Sequence, residues 1–107
     1  MKRGDLVTVA LAGDYGKPRP ALVVQADVYA EHPSVTVLPL TSELHDWPLF
    51  RVVVEPNATN GLQRRSQVMI DKAFTVPRQK VGRQLGRVDL EIVHAVDDAL
   101  TRFLGLD

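Results

Sequence analysis

The sequence predicts a mostly β domain, a small, mostly antiparallel barrel with a C-terminal α-helix. Three observations carry this. Short β-type runs follow one another at close intervals, turn-forming residues separate them, and helical periodicity is confined to the last part of the chain. Successive short strands with one terminal helix form a barrel or sandwich rather than a doubly wound sheet.

The first strand spans Leu6 to Leu11, with β-branched residues in partial alternation, and AGDYGKP follows as a loop. Ala21 to Gln25 is a short continuous apolar run, as expected of a strand buried on both faces. Val35 to Leu40, opened by Pro33-Ser34, is the third strand. TSELHDWP, residues 41–48, is a polar connection with room for one helical turn. Phe50 to Glu55 alternates again, and the turn formers PNATNG at 56–61 predict a hairpin into Ser66 to Ile70. AFTVP after Asp71 is a further short strand, closed by the basic segment RQKVGRQLGR. Asp89 is placed to cap a helix whose apolar positions are Leu90, Val93, Val96, Leu100, Phe103 and Leu104, with Gly105 as its stop.

The 107 residues make one domain, 1–107, with no internal repeat and no low-complexity region. The chain has no cysteine, which excludes disulfides, a thiol nucleophile and thiolate metal sites. Lys plus Arg equals Asp plus Glu at 13 each, so a polyanion would have to be met by a local patch. His32, His45 and His94 share no ligand spacing, and neither a metal nor a cofactor is expected. The N-terminus MKRGDLVTVAL lacks the pattern of a signal peptide, and no segment approaches the roughly 20 apolar residues of a membrane span, so a cytoplasmic protein is expected.

GKPRPALVVQ, residues 16–25, sets Arg19 between two prolines at the mouth of a strand. Each proline fixes its own φ, and Pro20 pushes Arg19 toward an extended conformation, so the side chain is presented on a stiff mount. The residues leave two readings open: a guanidinium held for a phosphate or carboxylate, or a stem packed on the barrel rim. Thr41 and Ser42 suit the capping of a turn. Asp71 suits an ion pair with Arg65 or Lys72, and Trp47 suits either stacking on a base or anchoring a loop. Arg64, Arg65, Arg78, Lys80, Arg83 and Arg87 make the second half locally basic, either as a track for a nucleic-acid backbone or as a solvated face.

RGDLVTVAL at 3–11, KPRPALVVQ at 17–25, VTVLPLTS at 35–42, QVMIDK at 67–72 and the terminal VDDALTRFLGL resemble the MazF/PemK family of toxin endoribonucleases in sequence, order and approximate spacing. The resemblance implies an SH3-like antiparallel barrel with a C-terminal α-helix that dimerises, cuts single-stranded RNA at short sequences without a metal, leaves 2′,3′-cyclic phosphates, and is held inactive by an antitoxin encoded beside it. It also implies catalytic roles for Arg19, Thr41 and Asp71, and RNA contacts for Lys17, Ser42, Arg65 and Lys72. The loop Ala12 to Pro18 contains no histidine to serve as a base, and Lys72 follows Asp71 where the family commonly has glutamine. Two rivals follow from the same fold: a gyrase-binding toxin of the CcdB type and a non-catalytic SH3-like binding module. The first relies on a tryptophan near the C-terminus, whereas this chain ends TRFLGLD and has its single tryptophan at 47.

Overall fold

A computed structural model of the chain describes residues 1–10 and 17–107. In order, the strands are β1 (Asp5–Ala10), β2 (Pro18–Val23), β3 (Ser34–Thr41), β4 (Arg51–Val54), β5 (Ser66–Met69), β6 (Phe74–Pro77) and β7 (Val81–Arg87), followed by helix α1 (Leu90–Leu104). Single 3₁₀ turns lie at Asp27–Tyr29, Ile70–Lys72 and Arg78–Lys80. The expected end of the first strand at Leu11, and the 12–16 part of the loop after it, lie outside the described residues.

Every pairing is antiparallel, and the sheet order is β4-β5-β3-β2-β1-β7, with β6 added on β3. β3 is the shared strand. Its first half, Ser34 to Val37, pairs with β6, and its end, Leu40 and Thr41, pairs with β5. Pro39, which has no N–H to donate, falls where β3 changes partner.

Alternation along the strands builds two cores on opposite faces of the sheet. Leu6, Leu22, Leu38 and Leu40 join Val54, Val68, Ile70 and the helix residues Val96 and Ala99 on one side. Val7, Val9, Ala21, Val23, Val35 and Val37 form the other, covered by Phe74, Val76 and Val81. Ala21, Leu22 and Val23 of β2 are therefore buried on both faces, as the apolar run predicted, although the strand spans Pro18–Val23 instead of reaching Gln25.

α1 is capped as expected. Asp89 Oδ1 accepts from Ile92 N at 3.0 Å, and Gly105 at φ 71° closes the C-terminus, with Leu106 N donating to Thr101 O. The apolar stripe is shorter than the sequence suggested. Val96 and Ala99 are buried and Ile92, Val93 and Leu100 pack against the core, but Leu90, Phe103 and Leu104 remain exposed, since the helix packs chiefly on β4 and the 70–72 turn.

Two further expectations are corrected. The 41–48 connection has no helical turn: the chain bends at Ser42 and Glu43 and stays irregular until the turn at 48–50. RQKVGRQLGR is not merely a closing segment, since Val81–Arg87 within it is β7, which pairs with β1 through two register shifts. A Cβ at Gly82 would stand 2.3 Å from Thr8 Oγ1, and one at Gly86 2.1 Å from Thr59 O. The glycines that hide this strand in the sequence permit its close contacts.

The ends of the strand path, β4 and β7, do not pair with each other. They are bridged by the 55–65 loop, which two asparagines build. Asn57 Oδ1 accepts from Thr59 N at 2.9 Å and Asn60 N at 2.8 Å, and buried Asn60 accepts from Asn57 N and Leu62 N while donating to Glu55 O. Arg87 N then donates to Thr59 O at 3.0 Å, and Gly61, at φ 70°, lies against the backbone of Leu85. Asn60→Ala should lower stability by about 1–3 kcal/mol for each buried backbone group left unpaired. Urea unfolding checks this.

Candidate nucleic-acid interface

The β2 and β3 ends and the bridging loop enclose a groove of about 790 Å³. β2 contributes Pro18, Arg19 and Pro20, preceded by Lys17, and β3 contributes Pro39, Leu40 and Thr41, followed by Ser42 and Glu43. The opposite side is Gly61 to Arg64, Ser66 and Met69, and Thr8, Arg83 and Leu85 come from β1 and β7. Three prolines in the lining restrict backbone motion.

Arg19 lies opposite Val9 in the β1–β2 ladder, with Pro20 opposite Thr8 and Pro18 opposite Ala10, so the two prolines that bracket it are part of the sheet. Thr41 ends β3, and its Oγ1 accepts from Glu43 N at 3.0 Å. This is the turn-capping role that its sequence suggested. One lone pair is thereby used while the hydroxyl proton remains available to donate, so capping and anion contact are compatible.

The other expected site residues stand elsewhere. Asp71 and Lys72 lie in the 3₁₀ turn after β5, paired with each other at 3.2 Å, and Asp71 Oδ1 is buried without a hydrogen-bond partner among the described residues. Arg65 pairs with Glu55 at 3.0 Å rather than with Asp71. None of these three lines the groove. The structure thus brings together Lys17, Arg19, Thr41 and Ser42 and leaves Arg65, Asp71 and Lys72 outside.

The basic run of the second half divides in the same way. Arg78 donates to the carbonyls of Ala30 and His32, and with Lys80 it belongs to a 3₁₀ turn, not to one side of a strand. Arg87 stands 4.0 Å from Asp5, which is nearly buried. Arg64 and Arg83 face the groove, and no carboxylate among the described residues pairs with them or with Lys17. The lining thus holds four cations and the single carboxylate of Glu43 on a chain whose formal net charge is zero.

Trp47 anchors a loop. Its ring lies flat on His45 at 4.0 Å, packs at 5.5 Å on Phe50, and carries the Arg51 guanidinium 4.9 Å from its centroid. Below it, Gln67, which is almost fully buried, accepts from His45 N and donates to His45 O, fixing the connection that follows Thr41. Sequence reasoning passed over Glu43 and Thr8, and the signal available for Glu43 was its place two residues after Thr41. Among the described residues no group of His, Asp or Glu is arranged to hold a metal ion, and no helix is long and apolar enough to cross a membrane.

A small antiparallel β fold with a stiff, cationic groove defines a class of proteins shaped to receive a single polyanionic strand. The family follows from comparison: the chain belongs to the PemK-like, MazF-like toxins of type II toxin–antitoxin systems, whose model matches residues 2–104. It is 44% identical over 107 residues to a probable endoribonuclease MazF of Mycolicibacterium smegmatis, covering 99% of this chain and 98% of the relative. Among solved structures it is similar to the Mycobacterium tuberculosis toxin MazF-mt6, at 30% identity and TM-score 0.79, over 95% of this chain and 98% of that one. A mycobacterial endoribonuclease solved with its cognate antitoxin shares the fold at TM-score 0.85 and 24% identity, over 100% of this chain and 97% of that one. By family the chain is a toxin endoribonuclease.

Proposed function

We propose that residues 1–107 form a single toxin domain that cuts single-stranded RNA at a short sequence, without a metal ion, by attack of a 2′-hydroxyl on the adjacent phosphate. The products are a 2′,3′-cyclic phosphate and a 5′-hydroxyl end. The observation that carries this reading is the charge of the groove: Lys17, Arg64 and Arg83 face it without a carboxylate partner among the described residues, whereas Arg65 and Lys72 are paired with carboxylates and Arg78 with main-chain carbonyls. Because RNA supplies its own nucleophile, the protein has only to hold the phosphate, stabilise the charge that develops on it and move protons. No metal-bound hydroxide is required by that chemistry.

In this reading the Arg19 guanidinium meets the non-bridging oxygens of the scissile phosphate through several N–H groups, and the Thr41 hydroxyl donates a further bond. Lys17, Ser42, Arg64 and Arg83 hold the neighbouring phosphates. Asp71, with Lys72, and Arg65, with Glu55, stand beside the groove and outside the reacting centre. The toxin acts in the cytoplasm as a two-fold homodimer and is silenced by a cognate antitoxin whose acidic segment occupies the same cationic surface. The relative solved with its antitoxin supports the second partner, and exposed Leu49, Leu104 and Leu106 offer apolar surface for the first.

Purified protein incubated with single-stranded RNA and excess chelator should leave 2′,3′-cyclic phosphate ends, detected by end-group analysis. Arg19→Ala should cut about 100- to 1,000-fold more slowly. Its melting temperature should not change, since an exposed arginine contributes little to the core. With a non-cleavable RNA, the double variant Arg64→Ala/Arg83→Ala should flatten the slope of log affinity against log salt by about 1.4, two charges at roughly 0.7 each. Light scattering at micromolar concentration should give twice the 11.9 kDa chain mass.

A further inference from the structure

We propose that Glu43 is the general base of the cleavage and that His45 positions it. The proposal rests on the RNA-cleavage reading and supplies what that reading lacks. Arg19 and Thr41 act on the phosphate as donors, and the groove lining contains no histidine. Among the described residues that line it, Glu43 is the one carboxylate. Asp71 is turned to Lys72, away from the lining.

The geometry places Glu43 beside the phosphate contacts. Its backbone N–H is tied to Thr41 Oγ1 at 3.0 Å, so the base and the phosphate donor ride on one turn. Glu43 Oε1 stands 3.6 Å from His45 Nε2, while the carboxylate as a whole stays open to solvent, 82% exposed. The imidazole is in turn a fixed point. Both main-chain polar groups of His45 are held by buried Gln67, at 3.1 and 2.8 Å, and its ring is stacked on Trp47 with a 4° interplanar angle. One carboxylate oxygen thus lies toward the His45 imidazole, beyond hydrogen-bond length in the free protein, and the other remains for substrate. A negative charge in this groove opposes the binding of a polyanion, so the contribution of Glu43 is to the reaction and not to affinity.

In the step itself, the Glu43 carboxylate takes the proton of the 2′-hydroxyl as the 2′-oxygen bonds to phosphorus. The bond from phosphorus to the 5′-oxygen breaks, and that oxygen leaves with a proton drawn from water in the open groove. Glu43 then returns its proton to solvent. No water is consumed overall, and no oxidant or reductant is involved.

The test compares Glu43→Gln, His45→Phe, Arg19→Ala and Asp14→Asn, the last at the acidic residue of the sequence AGDYGKP that precedes Arg19, with the wild type. It uses a single-stranded RNA that the wild type cuts, and the same RNA carrying a 2′-deoxy group at the cut site as a binding probe. Glu43→Gln should lower kcat about 100-fold or more. It should bind the 2′-deoxy probe as tightly as wild type or tighter, and it should lose the acidic limb of the pH–rate profile. His45→Phe keeps a ring on Trp47 but removes Nε2, so it should lower kcat while leaving probe affinity unchanged. The proposal is overturned if Glu43→Gln cuts at the wild-type rate, or cuts equally fast at an altered sequence, which would make Glu43 a reader of a base. It is also overturned if the acidic limb disappears in Asp14→Asn and survives in Glu43→Gln. If the wild type leaves no cyclic phosphate ends, the cleavage reading fails and the assignment falls with it. If Arg19→Ala is slow and Glu43→Gln is not, only the assignment of Glu43 fails.

Discussion

The contact on which the groove depends is the docking of the 55–65 loop against β7. Asn57 and Asn60 satisfy the loop's own backbone, which lets it hold a shape where no strand partner is present. Gly61 and Gly86 then allow that shape to approach β7 more closely than any side chain would permit. The sheet path is left open between β4 and β7, and a loop closes the gap that a strand pair would otherwise fill. One consequence is electrostatic: Arg64, carried by the loop, and Arg83, carried by β7, line the same groove.

Charge in this protein is organised by contact and not by composition. Arg3 is held by Asp97 across to α1, Arg78 by main-chain carbonyls, Arg65 by Glu55, and Arg87 faces Asp5. Those guanidiniums serve the fold. A formally neutral chain can therefore present a cationic groove without an overall basic charge, because the described carboxylates other than Glu43 lie outside the groove lining.

The second support of the site is β3. By passing from β6 to β5 along its length it carries Thr41, its last residue, past the change of partner at Pro39 and opposite Gln67 of β5. Gln67 on β5, opposite Thr41, then holds His45, and the stack of His45, Trp47 and Phe50 fixes the connection beyond. A residue that binds a phosphate needs a supporting shell of this kind, since small displacements cost much of the rate.

Most elements were legible along the chain because their signals are local. The apolar runs of β1, β2 and β3, the Asn-Gly turn before β5, and the caps at Asp89 and Gly105 each depend on neighbours a few residues away. β7 was not legible, since its glycines and charges read as a loop until Thr8 and Thr59 are placed against it. The same division holds for the site. The sequence by itself determined the stiff presentation of Arg19, because prolines act on their own backbone and on the residue before them. It also determined Thr41 at a strand end and the absence of thiol chemistry. Only the tertiary structure decided which charges face the groove. Asp71, Lys72 and Arg65 are close in sequence to groove residues, but their side chains satisfy one another or Glu55. Glu43, Arg64 and Arg83 reach the groove because β3, the bridging loop and β7 converge there, and that convergence depends on contacts between residues distant in the chain.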